Sequence, residues 1–214
     1  MDNNKKYIDM SLEEFSNILA AKTTMPGGGS AAAYVASLGN SLASMVANFT
    51  IGKKAYQEYD KNMEAILKDT EKLNLRLLEL VDKDAEEFLK LSAAYSLPKG
   101  SEEEKILADK EKQKCLKLTA SVPMDLLKEC KNIVDLHEKL SIMGSKMLLS
   151  DVGVGVLMVR SAALSAKINI AINIKYILDE DFTKKYESDM QVLVKYIEEK
   201  CDKIYNEIYY KICK

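Results

Sequence analysis

Apolar residues recur along most of this chain at steps of three and four, the spacing of a helix that buries one face. Between Lys53 and Leu97 the residues Tyr59, Met63, Ile66, Thr70, Leu73, Leu77, Leu80, Asp84, Phe88 and Leu91 form one such seam. It predicts a single long helix packed along a partner. Thr70 and Asp84 are its polar members, while Asp82 and Lys83 fall off it. Upstream, Leu12, Phe15, Ile18 and Leu19 predict a short helix to about Lys22, opened by a capping box of Ser11 and Glu14. Ser101 and Glu104 form a second box after the breakers Pro98 and Gly100. The helix it opens is expected to run to about Ser121, to be broken at Pro123, and to resume to about Ile142. Tyr186, Met190, Leu193, Ile197, Ile204 and Ile208 place a last helix between Thr183 and Ile212.

Two segments depart from this pattern. From Thr23 to Gly52 there is no charged side chain. Pro26 and the glycines Gly27, Gly28 and Gly29 open this stretch, and Ser30 is the expected N-cap of a helix ending near Gly52. A membrane span needs ~20 predominantly apolar residues. Here Ser37, Asn40, Ser41, Ser44, Asn48 and Thr50 interrupt the run, so a small-residue helix buried among other helices is expected and no membrane contact. From Asp151 to Leu178, "VGVGVLMV" and "INIAINI" alternate with the period of a strand. The absence of turn residues in the second half, and "RSAALSAK", favour one helix over a strand. Taken together, the chain reads as all-α: one domain over residues 1–214, a bundle of six or seven helices with long antiparallel members.

Composition narrows the chemistry. Of 214 residues 47% are hydrophobic and 30% charged, enough for one sizeable core. Nine Gly and three Pro are few for a strand-rich fold. A net charge of −2 with mixed signs gives no basic footprint for nucleic acid. The four cysteines have no CxxC spacing and His137 is the lone histidine, so no metal site is expected. His137, in "DLHEKL", reads as solvated or satisfied within the core. "MDNNKKYIDM" has no apolar signal core, so a cytoplasmic location with free thiols is expected.

The candidate chemistry lies in a few places. "PGGGS" lets the backbone come within contact distance of a ligand and offers amide groups at a helix start, though its spacing matches no nucleotide-binding fingerprint. Asp84, a carboxylate on an apolar seam, is expensive to bury without partners. It is either exposed, held in a structural ion pair, or turned into a cavity with a raised pKa suited to proton transfer. Asn169 and Asn173 share one face in either secondary structure, amid isoleucines, and need partners inside the protein or from a ligand. Lys53 and Lys54 follow the neutral helix as dipole partners or as holders of an anionic group.

The stretch "PGGGSAAAYVASLGNSLASMVANFTIGKKAY", followed in order by "LVDKDAEEF", "LPKGSEEEK", "ASVPM", "SDVGV" and "INIAIN", resembles the formiminotransferase-cyclodeaminase C-terminal family with its stand-alone methenyltetrahydrofolate cyclohydrolases. In place of the Gly-Asn pair expected before the "SD" element, this chain has Gly144 and Ser145. The resemblance implies helix for Asp151–Leu178. It also implies a homodimeric enzyme acting on tetrahydrofolate one-carbon derivatives, with the folate as substrate and no other cofactor. The reaction it implies first is the cyclohydrolase, interconverting 5,10-methenyl- and 10-formyltetrahydrofolate, because "IGKKAY" and "SDVGVGV" are closer to the stand-alone members. The alternative is cyclodeaminase, closing 5-formiminotetrahydrofolate to the methenyl form with release of ammonia. A more distant alternative is a non-catalytic bundle that binds folate or a protein partner. Under the enzyme reading Asp84 is the first catalytic carboxylate and Asp151 the second, with Asp82 in support. Gly27, Gly28, Gly29 and Ser30 line the pocket, Asn169 and Asn173 hydrogen-bond the ligand, and Lys53 faces a glutamyl carboxylate.

Overall fold

The structure, a computed structural model, describes residues 6–214. Six α-helices follow one another: α1 (Leu12–Ala20), α2 (Gly28–Thr50), α3 (Asp60–Tyr95), α4 (Glu102–Met143), α5 (Leu149–Ile174) and α6 (Glu180–Ile212). Short 3-10 segments lie at Tyr7–Asp9, Lys54–Tyr59 and Lys146–Leu148. Both expected capping boxes form, at the starts of α1 and α4. The described residues contain no strand, and Asp151–Leu178 is mostly α5.

Three long helices surround α5 at the core. It packs on α2, α4 and α6, while α3 lies against α2 and α4. Close approach is what the small residues supply: an added Cβ at Gly39 of α2 would press on Val159 and on the Gly155 carbonyl of α5. Gly39 of α2 meets Gly155 and Met158 of α5, and Gly29 shares a cleft with Asn169. The two helices therefore run antiparallel.

His137 of α4 fills the space where α2, α4 and α5 meet. It is fully buried, its Nε2 lies 3.0 Å from the Gly39 carbonyl oxygen, and an added Cβ at Gly155 would overlap its ring. Burial drives its pKa down to about 4, so it is neutral at pH 7. The carbonyl acceptor assigns the proton to Nε2.

Several boundaries differ from the sequence reading. Pro123 does not break α4, which runs through it. Val122, Met124, Leu126 and Leu127 around it are all buried, and that burial offsets the helical hydrogen bond a proline removes. α3 begins at Asp60, after the 3-10 segment, and not at Lys53. The N-cap of α2 is Gly27, with Ser30 already in the first turn. Asp82, off the apolar seam, is nonetheless buried, because the N-terminal segment crosses α3 there and the Tyr7 N–H donates to its Oδ1 at 2.7 Å.

The neutral helix α2 is buried on one face only. Leu38 and Phe49 point outward at 38% and 57% exposure, so burial alone does not account for the missing charges. The apolar stretch Lys146–Ile174 is the one helical segment among the described residues long and apolar enough to cross a membrane, with mean hydropathy 1.6. In the bundle its Val152, Val156, Val159, Ala163 and Ile170 are buried, and Arg160 bonds Glu198 and Asp202 of α6.

Candidate functional site

The triple glycine brings the start of α2 onto the middle of α3. Asp84 Oδ2 accepts two hydrogen bonds from Ser30, from its N–H at 2.8 Å and from its hydroxyl at 3.0 Å. An added Cβ at Gly29 would overlap the Asp84 carboxylate, whereas at Gly28 it would meet nothing and at Gly27 only the Met25 side chain at ordinary contact. Of the three glycines, Gly29 is the one this approach requires. Asp84 Oδ1 takes no hydrogen bond from the described residues, and the carboxylate borders a cleft with Gly29, Ala33, Leu80, Val122, Pro123, Leu126, Ala166 and Asn169.

Burial raises the Asp84 pKa above the usual carboxylate range, and the two Ser30 hydrogen bonds only partly counter it. A carboxyl group with one oxygen anchored, set at the edge of a mostly apolar cleft and with a raised pKa, is equipped to hold or move a proton beside a cationic ligand. The Pro123 ring forms part of the wall, a role the sequence pattern hid because it read this proline as a helix break. Asn169 borders the same cleft, its Nδ2 donating to the Ser165 carbonyl at 2.9 Å. Asn173 lies one turn further on the same face of α5, half-buried.

The remaining sequence candidates lie elsewhere. Asp82, two residues from Asp84, points to the other side of α3, where it holds the N-terminal segment; burial raises its pKa, opposed chiefly by the Tyr7 and Ile8 amides. Lys53 lies beyond the far end of α2, whose 23 residues span roughly 35 Å. Asp151 opens α5 at that same far end. Within one copy, therefore, Lys53 and Asp151 do not meet Asp84.

At that end a second cluster forms that the sequence reading did not single out. The Tyr56 hydroxyl accepts the Lys146 N–H at 3.0 Å, Lys53 Nζ donates to Ser145 Oγ at 3.4 Å, and the Ser145 N–H donates to Thr50 Oγ1 at 2.9 Å. Tyr56 stands in the quoted "GKKAY" and Ser145 at the departure from the family pattern, so both positions were visible as letters but not as neighbours.

Residues 11–192 match the family model described as formiminotransferase-cyclodeaminase. The chain belongs to that family. It is 34% identical to a methenyltetrahydrofolate cyclohydrolase of Methylorubrum extorquens, over 86% of this chain and 88% of that one. It is 32% identical to the formimidoyltransferase-cyclodeaminase of Rattus norvegicus over 85% of its own length, but this spans only 34% of the rat protein. The fold is that of a formiminotetrahydrofolate cyclodeaminase from Thermotoga maritima, with a TM-score of 0.86 and 35% identity, covering 96% of this chain and 98% of the other. In this all-helical family the chain therefore spans nearly the whole of relatives named for either reaction.

Proposed function

We propose that this chain is a folate one-carbon enzyme, a methenyltetrahydrofolate cyclohydrolase, with Asp84 as its catalytic carboxylate. The observation that carries the reading is the Asp84 carboxyl group, packed against the glycine turn at the edge of a mostly apolar cleft with one oxygen anchored by Ser30. The 5,10-methenyl bridge is a cationic amidinium carbon between two nitrogens, and a carboxylate in a low-dielectric cleft pairs with that charge. Water adds to the bridge carbon while Asp84 takes its proton. The same carboxyl then returns a proton to N5 as the C–N5 bond breaks, and the hydroxyl on the bridge carbon gives up its proton to solvent, leaving the formyl group on N10. Asn169 is in place to hydrogen-bond the ligand at the same cleft, and Asn173 lies one turn beyond it.

Cyclodeamination is the second reading, favoured by the similarity to the Thermotoga maritima structure at nearly full coverage of both chains. There N10 attacks the formimino carbon, and Asp84 moves the proton to the departing ammonia. Both reactions pass through a tetrahedral carbon, so one carboxyl serves either.

The test is spectrophotometric. The purified chain is mixed with 5,10-methenyltetrahydrofolate and, separately, with 5-formiminotetrahydrofolate, and the methenyl absorbance is followed. The cyclohydrolase reading requires accelerated loss of the methenyl band; growth of that band from the formimino substrate alone assigns the cyclodeaminase. Asp84→Asn is expected to lower turnover by at least ~100-fold, the scale of a lost general acid–base. Full turnover in that variant removes Asp84 from the chemistry.

A further inference from the structure

Close approach accounts for Gly29 but not for the two glycines before it. Gly27 and Gly28 both leave room for a side chain, and neither has the positive φ that favours glycine. Gly27 is extended, with φ −124° and ψ −163°. The resting structure thus makes no demand on the pair. A hinge does, because glycine absorbs large changes of φ and ψ at little cost.

The segment that such a hinge would carry is attached as a flap on two stems. At one stem Ser30 is bonded to Asp84, and at the other the Tyr7 and Ile8 amides are held by Asp82. Both carboxylates belong to α3, two residues apart, so the stems stand on either side of one helix, about 10–12 Å across. Between Tyr7 and Ser30 only Met25, Pro26 and Gly29 are buried. α1 has no buried residue, and the side chains that fix its ends bond within the segment: Ser11 with Glu14, and the Thr23 hydroxyl to the Ile18 carbonyl at 3.1 Å. Its apolar stripe is poorly used, with Leu12 and Leu19 exposed and Phe15 and Ile18 half-buried. Phe15 rests on Tyr34 of α2, ring centroids 5.7 Å apart. A cavity of about 70 Å³ is lined by Tyr7, Met10 and Leu12 of the segment and by Tyr34, Leu78 and Val81 of the body. Contacts forfeited across that gap lower the cost of lifting the segment.

We propose that residues 8–29 form a flap that swings between the Gly27–Gly28 hinge and the Asp82 clamp, and that α1 lays its apolar face over a ligand held at Asp84. For its ligand this rests on the folate reading. Closure surrounds the cationic bridge with an apolar wall, where its pairing with Asp84 is strongest.

The first test needs no ligand. Val81 is buried beneath the flap, and Cys213 is the one exposed cysteine. In a Cys213→Ser background, Val81→Cys is expected to react with iodoacetamide only as the flap lifts. Gly28→Pro suits the resting structure, since proline is favoured at the first position of a helix and the residue before it is already extended. It is expected to slow labelling at least ~10-fold without lowering the melting temperature. Gly27→Ala with Gly28→Ala meets no clash, keeps both amides and is expected to slow labelling by a smaller factor. Equal rates in all three chains overturn the hinge.

The second test reads closure. The chain has no tryptophan, so Leu12→Trp places a sole indole on the exposed stripe of α1. Saturating tetrahydrofolate is expected to reduce acrylamide quenching of that indole at least ~2-fold. Adding the double alanine change is expected to abolish this protection and to lower turnover at least ~10-fold. Tetrahydrofolate binding, seen by calorimetry, that leaves the indole as exposed as before overturns the closure. Turnover lost in Gly28→Pro but kept in the double alanine chain assigns the Gly28 amide to the ligand and overturns the flap. A chain that binds no tetrahydrofolate, yet whose labelling still depends on Gly27 and Gly28, sinks the folate reading while the hinge stands.

Discussion

Asp84 is costly where it stands. Two hydrogen bonds from Ser30 do not restore the solvation it loses, and its pKa is raised. In the unfolded chain the carboxyl ionises near the ordinary value of about 3.9. As pH climbs through that value the unfolded state releases its proton first, so stability declines until the folded pKa is passed and stays lower above it. Asp84→Asn removes this penalty while keeping an oxygen for the Ser30 donors. Thermal unfolding at pH 7 is expected to show a melting temperature higher by on the order of 2 °C, with activity lost, and the gain is expected to vanish near pH 3.5. A lower melting temperature at pH 7 would mean the ionised carboxylate is a net stabiliser. Such a trade of stability for chemistry is what separates a catalytic acid from a structural ion pair. The sequence showed Asp84 as a polar letter on an apolar seam; only the approach of Gly29 and Ser30 distinguishes cavity from ion pair.

Helices report the same limit at the next scale. The long periodic runs, both capping boxes and the last helix were legible because each depends on neighbours a few residues apart. Pro123 was not, since long-range burial overrides local preference there, whereas Asp151–Leu178 leaned to helix despite its strand-like alternation and is mostly α5. α5 is apolar nearly all round, with small residues on the faces that meet α2 and α4, so its sequence shows neither clean alternation nor a clean stripe. Gly155 illustrates the cost of such packing. Replacing it with alanine gains up to ~1 kcal/mol of helix propensity, but the new methyl overlaps the buried His137 ring. Overpacking of this kind costs typically ~1–3 kcal/mol, so Gly155→Ala is expected to lower the urea midpoint with an unchanged slope. The cause is separable: in a His137→Ala background the same substitution is expected to cost little, and the double-mutant cycle should show a coupling above ~1 kcal/mol. Additive losses would place the strain elsewhere in α5.

Over the whole molecule, the chemistry-bearing side chains gather at two ends of one bundle, and an uncharged face joins them. A lone monomer would expose Phe49, Ile168 and Ile172 at 57%, 70% and 51% on that face, a patch of the kind that marks an interaction surface. Charge there would have little effect on a monomeric fold, because these side chains already meet solvent. It would strongly oppose a second copy, because a carboxylate buried in an apolar contact loses its hydration without a partner. Leu38, at the middle of α2 and partly exposed at 38%, lies near the centre of the face and so near any two-fold axis that crosses it. In a dimer formed through this face, Leu38→Glu introduces two like charges close together. The expected outcome is a chain with wild-type helical content by circular dichroism, a monomeric mass in sedimentation, and turnover reduced by at least ~100-fold. The same substitution at Leu75, exposed at 64% on α3 away from that face, is expected to change none of the three. Full activity in a monomeric Leu38→Glu chain would mean that a single copy contains everything the reaction needs.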